Sequence, residues 1–555
     1  MSEWAHPAWP YLAGAALVGV LPRRAARVVL VVAPVAAIVV AWTLPVDARV
    51  EWRLMGQPLV WMNVDRLARV FAVIFALIGG LGAAYAWSAG SRRLHVAAFV
   101  AAAAAIGVSL AGDWVTLYLW WETLAVASFV LVSDGRTPAA TAAAFRYLLV
   151  HAAGGALLLA GIAWHVGTGG SLVVSALALG GPGVLVLLGF AVNAAIPPLH
   201  AWLTDAYPES SPGAGVFLSA FATKSAVYAL ARVFAGEDLL VWAGVTMALY
   251  GVVFAVLEND IRRLLGYHIV SQVGYMVAGV GIGTPLALSG AAAHAFCHIL
   301  YKGLLFMGAG AVVAATGRRK LTELGGLAPA MPATFVLYMI GAFSISGAPL
   351  LNGFVSKTLV VAAAEMEHRD AVAMLLTVAA VGTFLSVGLK LPFSTFFGPA
   401  RGLRPAPLPA SMVVAMSVSA ALCALLGTYP RLLYALLPYP VDYDPYSTAH
   451  VVEALQLLAG TGVGFALLVR HLGGQPTVTL DADRLYRSLA AWVAGRLSPA
   501  VARAADALES VVAAAADARL ARARPAMGAA LAYAVLVAVA SVGVLLVIAR
   551  EAIRP

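Results

Sequence analysis

Apolar runs long enough to cross a bilayer follow one another along most of the chain, separated by short polar connections. Counted from the first run at 7–21 to the last at 528–549, with about 20 residues per crossing, they give about 14–16 spans. The short alternating segments of a β-barrel do not stand out, so the pattern predicts an all-α polytopic membrane protein. The first run has Arg23, Arg24 and Arg27 behind it rather than ahead of it. That polarity is wrong for a cleaved leader, and the run reads as a first span.

One stretch breaks the pattern. From Asp481 to Arg524 the chain is rich in Ala and Arg, with Leu485, Leu489, Trp492, Val493, Leu497 and Val501 on one helical face and arginines on the other. An amphipathic helix lying at an interface or against partner helices is the expectation, with its ionisable groups outside the membrane core. Pro499 and Pro525 should break and end it. The expected organisation is N-terminal spans at 1–93, a first five-helix repeat at 94–234 and a second, inverted relative to it, at 238–391. Further spans at 405–472, the amphipathic helix at 478–525 and a final span at 528–550 follow.

Composition agrees with this reading. Of 555 residues, 62% are hydrophobic and 11% charged, which excludes a soluble globular chain. The charges then test the span count. Odd-numbered connections hold Arg23, Arg24, Arg27, then Arg92, Arg93, then Arg136, then Arg262, Arg263, then Arg318, Arg319, Lys320, then Arg401, Arg404. Even-numbered ones are acidic or mixed, with Asp113, with Glu237 and Asp238, with Glu365 to Asp370, and with Asp442 and Asp444. The positive-inside rule puts the odd connections in the cytoplasm of a prokaryotic cell and both termini outside the plasma membrane. The net charge of +9 is then mostly topology and gives no reason to invoke nucleic acid.

Two spans carry interruptions, Pro197–Pro198 in AAIPPLHAWL and Gly347, Pro349, Gly353 in SISGAPLLNGF. Proline removes a backbone donor and clashes one turn back, so spans seven and twelve should be broken in mid-membrane. Paired broken helices at matching positions of two halves point to an inverted-repeat transporter.

Ionisable residues gather around these breaks: Glu122, Lys224, His294, His298, Lys302 and Lys357. The stripe in HAFCHILYK has a spacing of four, which stacks His294, His298 and Lys302 on one helical face. A charge at the bilayer centre costs about 2.5–3.5 kcal/mol on insertion scales, so such groups mark an ion or proton path by default. Burial disfavours a lysine's charged form and a nearby carboxylate favours it, while histidine exchanges protons near neutrality. Arg146, Lys390 and His165 lie closer to span ends, where snorkelling competes with function. Cys297 and Cys423 fall inside apolar runs, with no disulfide framework and no metal spacing. Motifs for nucleotide, flavin, iron–sulfur or haem binding do not occur, so neither cofactor nor metal is expected.

At these residues the chain resembles the antiporter-like subunits shared by Mrp-type multisubunit cation/proton antiporters, respiratory complex I and membrane-bound hydrogenases. The likeness rests on PPLHAWLTDAYPESSPGAGVFLSAFATKSAVYALAR, ENDIRRLLGYHIVSQVGYM and HAFCHILYKGLLFMGAG, and covers roughly Asp65 to Gly398. The resemblance implies proton conduction along a hydrated axis in a complex with other membrane subunits. It matches Glu122 to the span-five glutamate, Lys224 to the span-eight lysine, Lys302 to the span-eleven lysine and Lys357 to the terminal lysine of span twelve. The forms GFVSK and ATKSAVY look most like the D-type member of the Mrp antiporters. Two positions depart from the family pattern. The lysine usual seven residues before the span-seven histidine is Asn193 here, for which His151 or His200 could substitute. The amphipathic helix and final span resemble a shortened form of the lateral helix of the largest complex I antiporter-like subunit, which implies an assembly role.

The expected function is proton translocation, with exchange for sodium in an Mrp-type antiporter. The chain would have no catalytic chemistry of its own, and protons, Na⁺, lipid and further membrane subunits would be its partners. Two alternatives remain at this point. One is an antiporter-like pump subunit of a redox-driven or inorganic-carbon-uptake complex, and the other a scaffold that does not conduct.

Overall fold

The computed structural model describes residues 5–54, 57–472 and 481–482. The amphipathic helix, apart from Asp481 and Ala482, and the final span lie outside the described residues.

The helices run in the order α1 (Ala8–Val20), α2 (Arg23–Thr43), α3 (Arg66–Ala86), α4 (Arg92–Leu110), α5 (Trp114–Ser133), α6 (Pro138–Gly167), α7 (Pro182–Ala194), α8 (Ala201–Glu209), α9 (Pro212–Leu218) and α10 (Ala222–Val233). They continue with α11 (Asp238–Leu257), α12 (Ile261–Ile282), α13 (Pro285–Thr316), α14 (Pro332–Ser346), α15 (Asn352–Met366), α16 (Asp370–Thr383), α17 (Ala410–Thr428), α18 (Arg431–Tyr434) and α19 (Thr448–Leu472). Twelve helical stretches among the described residues are long and apolar enough to cross a membrane. With α1 and the two broken spans, every expected span up to residue 472 has its counterpart.

Local chemistry sets the boundaries. Side chains of Asp65, Asp113, Thr137, Ser211, Asp260 and Thr284 each accept a hydrogen bond from the first turn of the helix that follows. Proline opens α6, α7, α9, α13 and α14, where its missing N–H costs nothing. In lipid a helix satisfies its own backbone, so its apolar surface can face outward. On α2 that surface is Val28, Val31, Val35 and Val39, all at least half exposed. Helices α12 and α13 lie at the opposite extreme, buried almost along their whole length.

Without a hydrophobic driving force between spans, small residues let backbones approach. The α11–α12 pair is built this way. A Cβ on Gly244 would meet Ala278 N at 2.3 Å, and one on Gly274 would meet Gly244 O at 2.4 Å.

The connections sort onto two ends. Arg92 on the third connection donates to the carbonyls of Gly19 and Leu21 on the first. Asp134 on the fifth accepts from Ser91 and from Ser211 on the seventh. Arg319 on the eleventh pairs with Glu209 and with Asp260 on the ninth. At the other end, Asp113 accepts from Val60 N, Trp114 N donates to Leu172 O, and Arg369 pairs with Asp238. Odd connections thus meet odd and even meet even, so one end of the bundle is the arginine-rich one.

A two-stranded antiparallel hairpin, β1 (Arg49–Leu54) and β2 (Gln57–Asn63), stands in the second connection, where the hydrophobic pattern predicts no element. It docks on the α4–α5 turn, where Gly112 N donates to Val60 O at 3.0 Å.

Candidate functional site

Both anticipated breaks are present. Helix α7 ends at Ala194, Ala195 takes a left-handed conformation with φ 59°, and α8 begins at Ala201. Trp202 Nε1 reaches back 2.8 Å to the Val192 carbonyl. Helix α14 ends at Ser346, Gly347 adopts φ 79°, and α15 starts at Asn352. The Lys357 ammonium then donates to the Ile345 carbonyl at 2.6 Å and lies 5.1 Å from the centre of the Tyr275 ring.

A third break has no signal in the sequence. Span eight divides into α9 and α10 at Ser219–Phe221. Lys224 sits one turn beyond it, fully buried, and its amine donates to the Ser219 carbonyl at 2.8 Å and the Thr223 hydroxyl at 3.0 Å. Each of these two lysines therefore rests on a carbonyl that a broken helix has freed.

The α13 stripe lies between them. His294, His298 and Lys302 are all fully buried. His294 Nδ1 is 3.0 Å from the Ser356 hydroxyl on α15, and its Nε2 is 3.4 Å from Tyr301 OH. The Tyr301 hydroxyl donates onward to Gln272 at 3.4 Å. Neither His298 nitrogen, nor the Lys302 amine, has a hydrogen-bond partner among the described residues. His298 lies within electrostatic reach of Lys224, Lys302 and Lys357. Five of the six anticipated residues therefore form one buried group.

Glu122 stands apart. Its Oε1 is buried and without a hydrogen-bond partner among the described residues. Gly155 on α6 makes room for it, since a Cβ there would lie 2.0 Å from Glu122 Oε1. Asn193 occupies the last turn of α7, buried, with Oδ1 also unpartnered among the described residues. Of its two possible substitutes, His151 stacks on Tyr147 at 3.8 Å and bonds that residue's carbonyl at 2.9 Å. The other, His200, faces a carboxylate: Nε2 lies 3.2 Å from Asp481 Oδ2. The sequence puts Asp481 on an amphipathic surface outside the core, yet its side chain is fully buried.

Several polar residues of this group carry no mark in the sequence. His268 on α12 is fully buried, bonds the Ser386 hydroxyl at 2.7 Å, and lies within reach of Lys302 and Lys357. Ser386 belongs to a stretch of widened helical turns, Phe384–Lys390, of the kind that recurs at functional sites. Arg146 and Lys390 have structural partners. Arg146 clamps Asp205 through two bonds of 2.6 and 2.9 Å, and Lys390 donates to the carbonyls of Val256 and Glu258.

A cavity of about 100 Å³ adjoins Lys357 and runs past Tyr275 and Thr358 to Glu365, His450 and Glu453. Glu365 and Glu453 also line a neighbouring cleft with Asp370. Lys357 thus borders a largely apolar space, large enough for water, that reaches an acidic rim at the even-numbered end. The arrangement can bind and pass protons. Among the described residues no group of three or more His, Cys, Asp or Glu side chains could hold a metal ion.

Known proteins are similar to this chain. A family model described as NADH:quinone oxidoreductase/Mrp antiporter, transmembrane, matches residues 111–386. An N-type NADH-quinone oxidoreductase subunit of Desulforudis audaxviator is 32% identical, with 55% of this chain and 68% of that protein aligned. A D-type Na⁺/H⁺ antiporter subunit of Alkalihalophilus pseudofirmus is 32% identical, over 53% of this chain and 63% of that protein. A chain of the Mrp complex from Dietzia sp. DQ12-45-1b superposes with a TM-score of 0.71 at 24% identity, covering 83% of this chain and 98% of that one, which is a likeness of fold. Broken spans, a buried lysine–histidine group and these matches agree: the chain is an antiporter-like membrane subunit and belongs to the NADH:quinone oxidoreductase/Mrp antiporter family.

Proposed function

We propose that the chain is the proton-translocating subunit of a multisubunit monovalent cation/proton antiporter of the Mrp type, with Na⁺ as the exchanged ion, in a prokaryotic plasma membrane. The arginine-rich end faces the cytoplasm, by the positive-inside rule. The observation that carries the reading is Lys302, fully buried, without a protein partner among the described residues, and flanked by His298 and His294 on one helical stripe. A structural lysine would be paired, because an uncompensated buried charge is strongly destabilising. A lysine that alternately takes and releases a proton needs this setting.

The path runs from Lys224 through His298 and Lys302 to His294 and Lys357. It ends in the cavity toward Glu365 and Glu453. Glu122 sets the charge balance of the first half and modulates Lys224. The halves at 94–234 and 238–391, each with a broken helix, are inverted repeats. The likeness to a D-type Na⁺/H⁺ antiporter protein supports sodium as the exchanged ion. The comparable likeness to an N-type quinone oxidoreductase protein favours a second reading, the same proton path in a redox-driven complex. Partners in either case are other membrane subunits. Vesicles of the whole complex separate the two: an imposed Na⁺ gradient drives proton movement in the first and leaves it unchanged in the second. A vesicle complex that moves no protons either under an ion gradient or during electron transfer contradicts both.

A further inference from the structure

His268 is a buried, titratable side chain that the proposed path leaves without a task. It sits on α12, fully buried, with Nε2 2.7 Å from the Ser386 hydroxyl. That hydroxyl commits its own proton to the Gly382 carbonyl at 2.7 Å. The histidine is therefore the donor of the pair: Nε2–H points at Ser386 and the lone pair sits on Nδ1. Nδ1 is buried and has no hydrogen-bond partner among the described residues. A side chain used only to fasten Ser386 needs the donor alone. The second nitrogen adds a buried, unpaired acceptor, which works against folding. A proton carrier needs that nitrogen.

The surroundings tie this nitrogen to the lysines of the second half. His268, Gln272 and Tyr275 recur at i, i+4 and i+7, so they share one face of α12. Along that face Tyr275 meets Lys357, whose ammonium is 5.1 Å from the ring centre. Gln272 accepts from Tyr301, the neighbour of Lys302 on α13. His268 itself lies within electrostatic reach of both Lys302 and Lys357. The widened turns at Phe384–Lys390 bring Ser386 to the ring and Gly388 against Ser346, where a Cβ would stand 3.3 Å from Ser346 Oγ. The residue before it, Ile345, supplies the carbonyl that holds Lys357. The imidazole is thus pinned beside both lysines with its acceptor nitrogen free, and the Lys302 amine has no hydrogen-bond partner among the described residues.

We propose that His268 is a further proton-carrying residue, which passes protons between Lys302 and Lys357 at its Nδ1. The Lys302 ammonium gives a proton to the Nδ1 lone pair, leaving a neutral amine and an imidazolium. The imidazolium then hands that same Nδ1 proton to a neutral Lys357 amine. Arrival and departure use one nitrogen, so Nε2–H keeps its bond to Ser386 and the ring ends in its starting tautomer. One proton has moved from one lysine to the other, and the histidine is neutral again. The step runs beside the one through His294; it deepens the proposed function and rests on it.

The test uses membrane vesicles holding the whole complex, with proton uptake measured and assembly followed on native gels. His268→Gln keeps an amide donor for Ser386 and removes the titrating nitrogen. It should assemble normally and lower proton transport at least about tenfold. The remaining rate runs through His294, so His268→Gln combined with His294→Gln should fall to the level of Lys302→Ala, the reference. His268→Asn, a shorter amide, repeats the test, so that one poorly assembling variant does not decide it. A histidine that only fastened Ser386 would leave transport intact in an amide variant. Wild-type transport in either assembled amide variant, beside a dead Lys302→Ala, overturns the carrier and leaves the proposed function standing. Failure of both to assemble makes the histidine structural and also overturns the carrier. Normal transport in an assembled Lys302→Ala overturns the proposed function itself.

Discussion

Lys357 donates to the carbonyl of Ile345 at 2.6 Å across the break between α14 and α15, so the last lysine of the buried group is seated on the end of the helix that precedes it. A helix C-terminus carries partial negative charge, which favours a cation there. Lys357 also lines the cavity that leads to Glu365. In the proposed path this position gives Lys357 the role of exchange point between the buried group and the even-numbered end.

Lys357→Ala should leave the complex assembled and lower proton transport by at least about tenfold, comparable to loss of a positioned acid or base. The Ile345 carbonyl loses its partner, which costs about 1–3 kcal/mol, so a modest fall in thermal stability accompanies the loss. Transport and thermal unfolding measured on the same preparation check both halves of this expectation.

Gly155 offers a way to reach Glu122 without touching it. A methyl at that position would land 2.0 Å from Oε1 and push the carboxylate out of its place. Gly155→Ala should therefore reproduce the transport defect of Glu122→Ala, while Gly154→Ala, which faces Val192, should not. Initial rates in vesicles compare the three. Equal activity of Gly155→Ala and wild type would mean that the site of Glu122 does not matter for flux.

Asn193 bears on whether the first half conducts. Lys224 is seated on the Ser219 carbonyl without help from position 193, so the first half keeps a buried lysine. Lys224→Ala is expected to damage transport nearly as much as Lys302→Ala. If Glu122→Ala and Lys224→Ala both leave flux unchanged in an assembled complex, only the second half carries protons.

Arg146 and Asp205 should behave differently from all of these. Their two-bond clamp joins α6 to α8 just past the break, which makes it a fastening between helices. Arg146→Met should destabilise the fold by about 1.5–3 kcal/mol, the range for hydrogen bonds to charged groups, with ion coupling per surviving complex unchanged. Thermal unfolding and transport normalised to assembled complex separate the two effects.

Much of this arrangement is legible because proline and glycine punctuate helices. Pro197, Pro198, Gly347 and Pro349 mark two breaks, and charged connections fix the span count. The break at Ser219–Phe221 is not legible, because SAF contains neither residue and the interruption is stabilised by Lys224 taking the Ser219 carbonyl. His268 looks like any buried histidine of a helix until Ser386, 118 residues away, is brought against it. Asp481 reads as one charge on a polar face, since nothing local announces contacts with Tyr250 and Tyr267 more than 200 residues earlier. The hairpin is hard to see because a lone pair of short strands is easily lost among long apolar runs.

The most direct test of the account is proton flux through Lys302→Ala. Vesicles containing the whole complex are given an ion gradient, internal pH is followed with a dye, and assembly is verified on a native gel. The account predicts an assembled complex whose coupled proton movement is abolished, because Lys302 is the buried amine that joins the histidines to the lysines of both halves. An assembled Lys302→Ala complex that moves protons at the wild-type rate would contradict it.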